Sequence, residues 1–183
     1  GLELVDVSSA VRTSAFAPFK AALEAGGSVR LINCKGLAAQ LTRKTIDKLG
    51  DVAKTYGAKG LAYTRLTAEG ETSSFEKFLT GHEKLALREA AGAEEGDVLL
   101  VVADAKNDVV YAALGALRLE IGKRCGLIDP DAFNFLWVTD FPLFEYSEDE
   151  DRYMAKHHPF TMPHEEDIDK VESDPGACRA KAY

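Results

Sequence analysis

The 183-residue sequence is short of several things, and each shortage removes a class of protein. Its three cysteines, Cys34, Cys125 and Cys178, lie far apart with no C-x-x-C between them. Neither a disulfide scaffold nor a cysteine-rich zinc module is expected, and a reducing, cytoplasmic setting suits the chain. Long apolar runs are missing too. The longest, VLLVVA at 98–103, falls far below the roughly 20 residues of a membrane-spanning helix. No charged-then-apolar leader opens the chain, so no secretory route is expected. G-x-G-x-x-G, G-x-x-x-x-G-K-[ST] and G-x-S-x-G are all absent, which leaves out the standard nucleotide loops and the hydrolase elbow. A basic excess is absent as well: Lys and Arg number 22 against 30 Asp and Glu, a net charge of −8, which disfavours a general nucleic-acid binder.

What is present is a globular balance, 46% apolar and 28% charged. The first 27 residues read as helical pieces, with Phe16, Phe19, Ala22 and Leu23 at helical spacing before Gly26-Gly27. SVRLIN (28–33) is a β-prone strand. Thr42 caps a helix to about Tyr56, with Ile46, Leu49, Val52, Ala53 and Tyr56 as its apolar stripe and Gly57 as its stop. GLAYTRL (60–66) reads as a strand, and Ser74 opens a helical stretch interrupted at Gly81 and resumed over 82–91. VLLVVA is apolar on both faces and is expected at the centre of a covered sheet. A helix then runs from Asn107 or Asp108 to about Cys125, with Val110, Leu114, Leu117 and Ile121 as its stripe. Beyond the connector GLIDPDA (126–132), 133–144 is aromatic and β-prone until Pro142, and 152–158 is placed to pair back as a hairpin across the acidic loop SEDED.

Charge divides the chain as well. Residues 28–65 carry Arg30, Lys35, Arg43, Lys44, Lys48, Lys54, Lys59 and Arg65 against Asp47 and Asp51, a local +6. Residues 129–183 carry five basic and fourteen acidic side chains, a local −9, so two structural units are expected. Arg43, Lys44, Lys48 and Lys54 are candidates for tracking an RNA backbone, with Lys44 and Lys48 on one helical face. Ordinary solvated lysines explain the same pattern. His157-His158-Pro159 marks a strand end or loop mouth. Adjacent histidines on a regular strand face opposite ways, and the spacing to His164 matches no zinc signature, so no metal site is expected. Asp140, inside an apolar run, reads as a cap for the bend at Pro142, and the acidic runs 148–151 and 165–169 read as solvated surface.

Five stretches carry a family resemblance. FLWVTDFP (135–142), FEY (144–146) and above all YMAKHHPFTMP (153–163) resemble the catalytic core of bacterial-type aspartyl-tRNA synthetases. LTRKTIDKLGDVAKTYGAKGLAY (41–63) and VVYAALGALRLEIGKRCGL (109–127) resemble the GAD insertion domain that those enzymes carry between motifs 2 and 3. A related domain occurs in the B subunit of the tRNA-dependent amidotransferase. The resemblance implies an α+β protein: a compact α/β insertion domain over 1–126, with about 12–125 as its core, then a hairpin-rich part of the class II antiparallel sheet over 127–183. FLWVTDFP would be one strand of that sheet. His157, with His158, would lie on a histidine loop touching L-aspartate or aspartyl-adenylate.

The implied activity of the parent is activation of aspartate with ATP and Mg2+, then transfer to tRNA, by a homodimer with no membrane or DNA partner. Counterparts of motifs 1, 2 and 3 and of the anticodon-binding barrel are not found in the sequence. The chain is therefore expected to be a piece of a larger enzyme, inactive alone, without a catalytic residue or bound cofactor of its own, and with the 133–183 aromatics exposed, paired with another copy or partly disordered. The alternative is a non-catalytic tRNA-binding or structural module related to the amidotransferase domain.

Overall fold

A computed structural model describes residues 1–182 and separates into two units, Gly1–Pro130 and Asp131–Tyr183. The first runs through β1 (Leu4–Asp6), α1 (Ala17–Glu24), β2 (Ser28–Cys34), α2 (Arg43–Thr55), β3 (Ala62–Thr67), β4 (Gly70–Ser73), α3 (Gly81–Ala91), β5 (Val98–Asp104) and α4 (Asn107–Arg124). Its five strands form one sheet in the order β1-β2-β5-β3-β4, and every neighbouring pair is antiparallel. The protein is thus α+β.

The centre of the sheet explains the sequence pattern. β2 and β5 register residue for residue, from Ser28 opposite Asp104 to Cys34 opposite Val98. Successive strand side chains point to opposite faces. Ile32, Val98, Leu100 and Val102 therefore pack with Ile46, Leu49 and Ala53 of α2 and Val110, Leu114 and Leu117 of α4. Val29, Leu31, Leu99 and Val101 pack with Phe19 of α1, Phe75, and Leu87 and Ala91 of α3. Both faces are covered, so 98–103 has no polar alternation to show. Each fully buried aliphatic side chain in these layers contributes about 1.5–3 kcal/mol.

Local chemistry sets the ends. Thr42 Oγ1 accepts the Thr45 N–H at 3.4 Å at the start of α2. Thr80 and Glu83 close a reciprocal capping box on α3, and Gly92 ends that helix at φ +54°.

Three expectations are corrected. The N-terminal segment is not wholly helical: Leu4–Asp6 pairs with Ile32–Arg30 as an edge strand too short to show a period. The stretch opened by Ser74 makes only a single tight turn at Glu76–Phe78, because Ser73 Oγ takes the N–H groups of Phe75 and Glu76. FLWVTDFP forms no strand over 135–141 among the described residues. Phe135 and Trp137 are 95% and 94% exposed, and an extended segment with no neighbouring strand has nothing to exchange its backbone hydrogen bonds with.

The second unit is built on a hairpin, β6 (Phe144–Ser147) against β7 (Arg152–Ala155), with Phe144 opposite Ala155. This is the pairing expected across the acidic loop. Its apolar centre is small: Leu143, Cys178 and Ala180 are buried, with Phe141, Phe144 and Val171 packed around them.

Candidate functional site

The histidine loop is anchored at both ends by backbone bonds. On its N-terminal side the Lys156 N–H donates to Leu143 O at 3.0 Å. On its C-terminal side the Lys181 N–H donates to Met162 O at 2.8 Å, and the His164 N–H to Arg179 O at 2.9 Å. The residues around Arg179 also bond the segment before β6: the Leu143 N–H donates to Cys178 O at 2.8 Å and the Ala180 N–H to Phe141 O at 2.6 Å. Antiparallel bridges, Pro142 to Arg179 and Pro163 to Ala180, complete the arrangement. Residues 178–181 are thus a central thread with 141–143 on one side and 162–164 on the other.

One ion-pair cluster locks this thread. The Arg179 guanidinium donates through Nε to Asp167 Oδ2 at 2.7 Å and through Nη2 to Glu166 Oε2 at 2.8 Å, and lies 3.4 Å from Asp140 Oδ1. Asp167 also accepts the Arg179 backbone N–H at 3.1 Å and Lys170 Nζ at 2.7 Å. Its side chain is fully buried. The Arg179 hydrogen bond, then those from Lys170 and the Arg179 backbone, hold its carboxyl well below the usual aspartate range. Asp140 adopts φ +55° two residues before Pro142, which fits a bend-forming role rather than a chemical one.

Between these anchors His157 and His158 are exposed and differently placed. His157 stands edge-on to Phe141, ring centroids 6.0 Å apart. His158 Nδ1 accepts the Phe160 N–H at 3.2 Å, and its ring meets Phe160 edge-on. With Nδ1 accepting, the hydrogen-bond donor left on this ring is its Nε2–H. The expected pair therefore shares a loop but not a hydrogen-bonding role. Among the described residues, no group of three or more His, Cys, Asp or Glu is arranged to hold a metal. No helix among them is long and apolar enough to cross a membrane.

The other candidate residues lie in the first unit. Arg43, Lys44, Lys48 and Lys54 are exposed on α2, whose opposite side buries Ile46, Leu49 and Ala53. Lys54 faces Asp51 at 3.8 Å. The strip is a solvated helix face.

Sequence reasoning missed Arg179 and Asp167. Asp167 sits in the run EEDIDK, which looks like solvated surface, and only its tertiary partners distinguish it from its neighbours. A cysteine and alanines around a lone arginine, CRAKA, were the available signal.

An antiparallel α+β domain followed by a hairpin unit that presents a braced histidine loop is the class of protein these features define. The model of the GAD domain matches residues 19–114, and the chain belongs to that family. Over its whole length the chain is 55% identical to an aspartate–tRNA ligase of Geobacillus kaustophilus, spanning 31% of that protein. It is 54% identical to an aspartate–tRNA ligase of Clostridium botulinum and 52% identical to an aspartate–tRNA(Asp/Asn) ligase of Geotalea uraniireducens, spanning 30% of each. The chain thus spans about three tenths of the length of these relatives, and the match includes both the GAD domain and the tail with the histidine loop.

Proposed function

We propose that the chain is the segment of an aspartate–tRNA ligase that carries the insertion domain and the histidine loop. The observation that carries this reading is identity above 50% along all 183 residues, loop included, together with two exposed histidines on a loop pinned at both ends. In the parent reaction an aspartate carboxylate oxygen attacks the α-phosphorus of ATP and pyrophosphate leaves. The tRNA 3′-terminal hydroxyl then attacks the activated carbonyl and AMP leaves.

His157 and His158 contribute by orientation. The Nε2–H of His158 donates toward the anionic substrate, and His157, backed by Phe141, fixes its other side. Magnesium accompanies ATP as substrate and is held by other parts of the parent enzyme, which acts as a homodimer in the cytoplasm. The 183-residue segment alone contributes no group that performs the bond-making step and is inactive.

The test is ATP–pyrophosphate exchange. A full-length chain carrying this segment is expected to exchange with aspartate and charge tRNA, while residues 1–183 alone give neither. Aspartate-dependent exchange by the isolated segment, or none by the full-length chain, contradicts the reading.

A second reading applies to the first unit, because Arg43, Lys44 and Lys48 share an exposed helix whose other face is committed to the core. In it the domain is a non-catalytic module that touches tRNA through phosphates. Localised amide shifts on α2 with tRNA, weakening steeply with salt, support it; a well-dispersed spectrum without shifts removes it.

A further inference from the structure

We propose that Arg179, braced by Asp167, is the positioning residue that sets the His157–His158 loop at the height and orientation its anionic ligand requires. The inference rests on the reading of that loop as the aspartate contact. It starts from topology. The loop leaves 141–143 at Lys156 and rejoins the unit at Met162, and the thread 178–181 is hydrogen-bonded to the segments behind both points. Any sliding of the thread therefore moves the two ends of the loop relative to each other.

What prevents sliding is the side chain at its centre. The Arg179 fork reaches Asp140 ahead of the loop and Glu166 and Asp167 behind it. Asp167 in turn holds the backbone N–H of Arg179 itself, so main chain and side chain of one residue are fixed by one carboxylate.

The chemistry of this arrangement argues for position over bulk stability. Burying a carboxylate costs free energy that pairing only partly returns, and an apolar pair of the same volume holds a small core as well. A planar guanidinium with three carboxylates around it sets register and angle in a way an aliphatic side chain cannot. Lysine at 179 would keep the charge and lose the fork.

The experiment is a double-mutant cycle in a full-length chain carrying this segment, using Arg179→Lys, His157→Ala and the two combined. Each is read as KM for aspartate and KM for ATP in pyrophosphate exchange. Arg179→Lys is expected to raise KM for aspartate about tenfold, the scale of a displaced charge-assisted hydrogen bond, with KM for ATP unchanged. It is expected to add nothing further in the His157→Ala background, because Arg179 acts through the loop. Unaltered KM for aspartate in Arg179→Lys, or an equal rise in both backgrounds, overturns the positioning role while leaving the loop reading intact. An unaltered KM for aspartate in His157→Ala alone overturns the loop reading itself. A variant that merely unfolds lowers exchange without the split between the two substrates.

Discussion

The two units of this chain solve the same problem with different means. In Gly1–Pro130 a sheet is covered on both faces by helices, and the order is carried by apolar contact among Leu31, Leu99, Leu100, Leu114 and their neighbours. In Asp131–Tyr183 the buried apolar residues among the described ones are Leu143, Cys178 and Ala180, and the order is carried by backbone bridges and the Arg179 cluster. Apolar burial is strong and non-directional; hydrogen-bonded charge is weaker in net terms and directional. A stable scaffold is therefore joined to a small unit in which geometry, rather than bulk, is what the contacts supply. That is the division expected when one part holds a fold and the other presents side chains to a ligand.

The comparison breaks most visibly in the scaffold. Leu100 of β5 is fully buried beneath the α2–α4 layer, so Leu100→Ala is expected to cost about 2–5 kcal/mol of unfolding free energy, measured by chemical denaturation. A loss under 1 kcal/mol would mean the doubly covered sheet is not what stabilises this unit.

The next effect compares the units through their thiols. Burial pushes the Cys34 thiol up to about 12 and also raises that of Cys178, so both are inert in the native state. In mild denaturant Cys178 is expected to react with a thiol reagent well before Cys34, since the smaller unit opens first. Simultaneous exposure would show that the units unfold together.

Acid sharpens the contrast further. Arg179 and Lys170 hold the Asp167 carboxyl well below its ordinary value. Its stabilising contribution is complete above the ordinary aspartate pKa of about 3.9 and fades as pH falls from there toward the lower folded value. Amide protection at His164 and Ala180 should drop across that window. The first unit loses something as well. Burial of Asp97 opposes its charge, but bonds from Asn33 and the N–H groups of Gly36 and Glu94 outweigh that and lower its pKa. Its apolar layers should nevertheless keep amides of β5 protected. The smallest effect is at a helix end: Thr80→Ala removes the capping box of α3 and should cost about 1 kcal/mol, with no change in the second unit.

Legibility in the sequence follows the same division. Where apolar burial dictates structure, periodicity carried the answer: the stripe Ile46, Leu49, Ala53 and the unbroken run 98–103 pointed to α2 and to the central strand. Elements held by pairing rather than pattern were not visible. β1 is three residues long, and β4 (GETS) has no buried face. The β-prone 133–141 shows the converse, since strand propensity without a partner strand yields no strand. At the site, the histidines stood out as residue types and by resemblance. Asp167 did not, because in a run with four acids only the approach of Arg179 from 12 residues away makes one of them different.

The claim that matters most is that the histidine loop touches aspartate. It is tested by His157→Ala in a full-length chain carrying this segment, with aspartate and ATP varied separately in pyrophosphate exchange. A large rise in KM for aspartate with KM for ATP unmoved is the predicted result. Unchanged constants for aspartate would place the substrate elsewhere and contradict the account.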